Sequence, residues 1–160
     1  MDISTGDMLT RFHFMSSLIL SIQKAASEGF LLPESAENIL SLLSRSSSPV
    51  YPAAVGELAE AGNWVELNNR FFRTLAFGTG GLRGKTIGAV VTQAERGEPQ
   101  ALGRPQFPCV GTNAMNQYNI SRATQGLTLY VKDHFAKQGR SGKPAICLCH
   151  DTRFFSREFA

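Results

Sequence analysis

Residues 77–86 read FGTGGLRGKT, which places four glycines, one arginine and one lysine within ten positions. Clustered glycines let backbone N–H groups converge on an anion, and a guanidinium adds a planar pair of donors. That combination suits a phosphate monoester, with Arg83 as the charged contact. The alternative is a tight turn that carries Arg83 as a solvated side chain.

Two other phosphate devices do not fit. A P-loop needs G-x-x-x-x-G-K-[ST] between a strand and a helix. Gly84, Lys85 and Thr86 supply its last three positions, but Thr79 stands where the first glycine belongs, and a β-rich run follows in place of a helix. A dinucleotide loop needs G-x-G-x-x-G after a first strand. Gly78, Gly80 and Gly84 give a looser spacing, and the residues before them read as helix.

Charge points the same way. The 160 residues carry a net charge of +3, too modest to argue for nucleic acid. The distribution is uneven: residues 1–69 hold three basic and eight acidic side chains, and residues 70–160 hold thirteen and five. The second part therefore suits an anionic partner, although a solvated basic surface accounts for the same asymmetry. Apolar residues make up 42%, enough for a core. Cys109, Cys147 and Cys149 are too few and oddly spaced for a disulfide framework, and read as small core or half-buried residues. No apolar run reaches the roughly 18 residues of a membrane span. Asp2 and Asp7 precede the apolar block SSLILSI, unlike the basic start of a signal peptide. Reduced cysteines and no export signal favour the cytoplasm.

The elements that must position the glycine turn differ on its two sides. Upstream, Leu18, Ile22, Ala25 and Ala26 recur at helical spacing before Gly29, and Ala36, Ile39, Leu40 and Leu43 do so after Pro33. AAVGELAEAG and NWVELNNRFFRTL add two more helices, the second capped by Asn63. Downstream, Thr86–Val91 reads as a strand, and residues 92–108 as a surface loop or insertion. Residues 119–138 form a predicted helix with Asn119 as cap and Gly139 as stop. Ala145–Cys149 suits a buried parallel strand, and Ser156 caps a last helix within which the chain ends. Residues 109–160 thus predict one βαβ-like unit, and the abrupt end predicts a fragment of a longer protein.

Three motifs in order carry a family resemblance: FGTGGLRG with IGA, then GTNAMNQYNISRATQGLTLYV, then ICLCHDTRFFSREFA. Over about residues 63–160 they resemble the first domain of the α-D-phosphohexomutase family, in its phosphoglucomutase/phosphomannomutase and phosphopentomutase-like branch. The resemblance implies an α/β fold, a mixed sheet flanked by helices and truncated here. It implies a helical N-terminal extension at 1–72 and the incomplete domain at 73–160. It also implies intramolecular phosphoryl transfer on a sugar phosphate of the glucose 1-phosphate/glucose 6-phosphate type. That reaction runs through a phosphoserine and a sugar bisphosphate, with Mg²⁺ as cofactor. By the same resemblance Arg83 lies in the active cleft, Thr79, Gly80 and Gly81 shape its wall, and Asp151 and Arg153 form an aspartate–arginine pair after a strand. That pair either contacts the ligand or braces a loop. The partners implied are the phosphosugar and the remaining domains of the parent chain, with no nucleic acid and no membrane.

Two departures stand out. The branch has an arginine where this chain has Ala114. No serine here matches the phosphoserine loop, and the aspartate-rich metal loop is missing, so the 160 residues alone are expected to be inactive. A non-catalytic phosphate-binding or interaction module is the alternative. Local glycine content predicts that Arg83 stands at an open edge, and the strand after it predicts that Lys85 is carried away from the turn.

Overall fold

The computed structural model describes the backbone of residues 5–160 and the side chains of residues 10 and 12–160. Four helices build its core: α1 (Thr5–Ser27), α2 (Pro33–Arg45), α3 (Val50–Glu60) and α4 (Trp64–Phe71). Their apolar stripes meet as the spacing requires. Leu18 and Ile22 of α1, Ile39 and Leu42 of α2, Val55 and Leu58 of α3, and Leu67 and Phe71 of α4 are all buried in one cluster. Each such side chain contributes about 1.5–3 kcal/mol by leaving water. The punctuation is chemical. Gly29 turns the chain after α1 with φ 80°, and Pro33 opens α2. Asn63 Oδ1 accepts from Glu66 N (3.2 Å) to cap α4.

Helix α4 stops at Phe71, short of the sequence reading, because a later loop captures its end. Asn113 N donates to Arg70 O (2.9 Å), Thr112 Oγ1 to Arg73 O (2.7 Å), and Leu75 N to Thr112 O (2.7 Å). The packing runs on from the four helices into this loop, since Val110 joins their core.

The glycine stretch forms a small antiparallel hairpin, β1 (Phe77–Gly78) and β2 (Gly81–Leu82), pairing Phe77 with Leu82. This is the sheet found among the described residues, and the mixed content is consistent with an α/β class. The predicted strand at 86–91 does not form. Gly88 packs against the Arg70 guanidinium, where a Cβ would come within 2.5 Å of Nη2, and the Val90 carbonyl is bonded by Arg70 rather than by a neighbouring strand. What remains of strand pairing is one parallel bridge, Lys85 with Ala114.

Residues 92–108 are more than a surface loop. They contain α5 (Gln93–Arg96) and a 3₁₀ turn at Ala101–Gly103. Thr92 and Glu95 form a reciprocal capping box, and the Glu57 carboxylate of α3 accepts from Gln93 N (2.6 Å) and Ala94 N (2.8 Å).

The last long helix, α6 (Gln117–Lys137), is capped by Asn116, whose Oδ1 accepts from Asn119 N (3.1 Å), so the cap lies three residues before the expected one. Asn119 is buried, and its Nδ2 bonds the carbonyls of Gly111, Thr112 and Ala114 instead. The βαβ unit is absent. Leu127 is 49% exposed, Leu148 is 69% exposed, and residues 143–150 adopt no strand. A buried parallel strand needs a neighbour to share its ladder. The segment expected to supply one is tied to Arg70. Cys147 and Cys149 are exposed as a result, against expectation, while Cys109 is buried. The chain closes with α7 (Ser156–Phe159), entered through Phe155 at φ 66°. Phe155, not Ser156, is the capping position, and Ser156 Oγ accepts from Asp151 N (3.0 Å).

Candidate functional site

Arg70 sets the scaffold. It is 4% exposed and sits between two buried carboxylates, with Nε 2.8 Å from Glu66 Oε1 and Nη1 2.5 Å from Glu95 Oε1. Its remaining donors reach the carbonyls of Val90 and Val110 (3.3 Å to the latter). Glu95 Oε1 also accepts from Val110 N (2.7 Å). One guanidinium thereby ties α4 to segments 88–95 and 110, which flank the chain leading out of the hairpin. Removing one member of such a buried set costs about 3–5 kcal/mol, because the rest stay buried without partners. Cys109 lies alongside. Burial pushes its thiol up to about 12 despite the opposing pull of Arg70, which makes it a packing residue and not a nucleophile.

On this scaffold the hairpin tip turns at Thr79–Gly80, with Gly80 at φ 86° and Gly81 at φ 133°, a region that only glycine enters freely. Arg83 leaves the hairpin exposed, its Nη2 donating to Thr79 O (3.3 Å). Arg153 arrives from the other end of the sequence. Its backbone N donates to Asp151 Oδ1 (3.0 Å), and its Nε and Nη2 approach Asp151 Oδ2 at 2.8 and 2.7 Å. The Arg153 side chain holds the Asp151 carboxyl well below the usual carboxylate range.

Arg83 and Arg153 line one cavity of about 650 Å³. Thr86, Thr152 and Ser156 add hydroxyls, and Leu82, Phe154 and Phe159 add apolar wall. Two cations with hydroxyl donors and a partly apolar rim can hold a phosphorylated polyol. Thr79, Gly80 and Gly81 do not line this cavity but shape the hairpin beside it. Asp151 does not line it either, and orients Arg153 instead. Thr86 and Thr152 carry no sequence signal of their own.

The turn that bears Arg153 is held by the segment first read as an insertion. Arg104 Nη2 pairs with Glu158 Oε1 (2.5 Å), and the Arg104 guanidinium lies 4.7 Å over the Phe155 ring. Phe155 is buried, which offsets its left-handed backbone. Lys85 does not line this cavity and, with Arg83, lines a second one next to α4.

No group of three or more His, Cys, Asp or Glu side chains gathers among the described residues, so these residues do not fit a Mg²⁺ site. No helix among them is long and apolar enough to cross a membrane.

No family model matches the chain, and no solved structure matches it significantly. Among curated proteins, it is similar to a Saccharomyces cerevisiae (strain ATCC 204508 / S288c) protein named phosphoribomutase, at 31% identity over 106 residues. The match covers 66% of this chain and 13% of that protein. The relative is thus, by name, a phosphomutase, and the chain spans about an eighth of its length.

Proposed function

We propose that this chain is the first part of a phosphosugar mutase and that the hairpin and the Arg153 turn form one wall of its cleft. One observation carries the reading: Arg83 and Arg153, seventy residues apart in sequence, line the same hydroxyl-bearing cavity. A phosphoryl group in transfer spreads negative charge over its oxygens, and fixed cationic donors stabilise that charge more than they stabilise the bound substrate. The likeness to a protein named phosphoribomutase supports the same reaction class.

In this reading residues 1–72 are a helical extension and 73–160 belong to an α/β domain. The phosphoserine, the Mg²⁺ ligands and the site for a sugar bisphosphate activator are supplied by further residues of a longer protein. Two substrates compete, glucose 1-phosphate from the sequence resemblance and ribose 1-phosphate from the relative's name.

Steady-state kinetics of the full-length protein, with Mg²⁺ and bisphosphate present, tests this on both sugars. Turnover on at least one is expected, and none from the 160 residues alone. Arg83→Lys keeps the charge and loses the two-pronged geometry. It should lower kcat roughly 30- to 1000-fold, about 2–4 kcal/mol, with a smaller change in KM. Near wild-type rates for that variant would remove Arg83 from the chemistry. The second reading, an interaction module, draws on the exposed Leu127, Leu129 and Tyr130 of α6, and absence of turnover on every sugar phosphate would favour it.

A further inference from the structure

Arg83 stands between two cavities, and the second has no role in the reading above. It measures about 350 Å³ and lies between α4 and the chain leaving the hairpin. Four cationic side chains line it, Arg70, Arg73, Arg83 and Lys85, against one carboxylate, Glu66. Glu66 is already bonded to Arg70 Nε (2.8 Å), and Arg70 is further neutralised by Glu95. Three cations are left facing a concave wall without a counter-ion among the described residues.

Their states differ in an informative way. Arg73 is oriented: its Nε donates to Asn113 Oδ1 (2.9 Å), Asn113 Nδ2 donates to Asn69 O (3.2 Å), and the guanidinium lies 5.0 Å over the Phe72 ring. Its two terminal nitrogens have no hydrogen-bond partner among the described residues. Lys85 Nζ has neither a hydrogen bond nor an ion pair among them, although the Lys85 backbone is fixed by its bridge to Ala114 and by Met115 N donating to Lys85 O (2.9 Å). Three cationic residues line a small space whose lining also includes two buried residues, Ala114 (2% exposed) and Cys109. A concave wall lined by one sign of charge favours an anion as occupant.

Ala114 stands where the resembling family has an arginine, and it lines this cavity. A methyl group there leaves the space open, whereas a guanidinium from that wall would both fill it and supply the charge. We propose that Arg73, Lys85, Asn113 and the space above Ala114 form an oxyanion site separate from the Arg83–Arg153 cavity, sized for one phosphate group. The ligand is a phosphate monoester or free phosphate. The site does not depend on the mutase reading.

The test is titration of the 160-residue chain with inorganic phosphate, followed by heteronuclear NMR of the arginine and lysine side chains. Phosphate should perturb Arg73 and Lys85. Arg73→Ala and Lys85→Ala should each weaken binding roughly tenfold or more, the loss of one charge-assisted contact. Both residues are exposed, so these variants should fold, as a circular-dichroism melt would verify. Lys132→Ala, a basic residue on α6 that lines neither cavity, should leave the affinity within about twofold. Unchanged binding in both the Arg73 and Lys85 variants would overturn the proposal by assigning the phosphate elsewhere on the chain, the Arg83–Arg153 cavity included. Ribose 5-phosphate in place of phosphate separates the two sources. Binding about tenfold tighter than phosphate assigns the site to a monoester, and equal binding assigns it to the free ion.

Discussion

Helices α2 and α6 repeat apolar residues at the same spacing and end in different surroundings. In α2, Ala36, Ile39, Leu42 and Leu43 are buried beneath α1, α3 and α4. In α6, Leu127 and Tyr130 face solvent at 49% and 65% exposure, and Leu129, off that stripe, does so at 69%. Ile146 and Leu148, which could have covered α6, are themselves exposed. Periodicity states which stripe of a helix is apolar. What covers the stripe depends on segments far away in sequence, and for α2 those segments are neighbours joined by short turns.

The comparison can be broken most forcefully at Arg70, on the buried side. Arg70→Met leaves Glu66 and Glu95 without their partner, and urea denaturation should show a loss of about 3–5 kcal/mol. A loss under 1 kcal/mol would mean that water reaches the cluster. Next comes a matched pair of truncations. Leu42→Ala should cost about 2–5 kcal/mol, and Leu129→Ala less than about 0.5 kcal/mol. Equal losses would show that α6 is covered in solution, by a second copy or by its own tail.

Glycine substitutions should change sign between the two regions. Gly88→Ala drives a methyl group against Arg70 Nη2 and Glu66 Oε1, which should cost about 1–3 kcal/mol. Gly126 sits within α6 with no atom within 4 Å of its would-be Cβ, so Gly126→Ala should stabilise by about 0.5–1 kcal/mol. Thermal melts of both variants read the sign directly. The smallest perturbation is labelling of the native thiols. With a thiol reagent at pH 8, Cys147 and Cys149 should react at once, and Cys109 only on unfolding. Three fast thiols would put Cys109 at the surface.

These contrasts also explain what could be read from sequence. The four N-terminal helices were legible because Pro33, Asn63 and Gly29 mark their ends and their apolar positions lie within one turn of each other. Arg83 as an exposed cation on a glycine turn was legible for the same local reason. The strand at 86–91 was misread, since β-branched residues state a preference and Arg70, sixteen residues upstream of Thr86, takes the carbonyl that a ladder would need. Residues 92–108 looked like an insertion because their order comes from Glu57, Arg70 and Glu158, none of them nearby in the chain. Arg73 and Asn113 gave no signal in isolation.

The Glu57 contact has a kinetic consequence. Its carboxylate holds the start of α5 across 36 residues of chain, whereas the helices beneath form from contacts between sequence neighbours. Closing a loop of that length costs entropy before any contact rewards it. The segment from Thr92 to Val110 should therefore dock after the rate-limiting step of folding. Stopped-flow measurements on Glu57→Ala should show faster unfolding and an unchanged refolding rate, and a slowed refolding limb would place the segment in the nucleus. A segment that arrives last also leaves first. The backbone that holds Arg83, Lys85 and Arg73 in register would then exist only in molecules that have finished folding, so a partly folded chain would hold no anion.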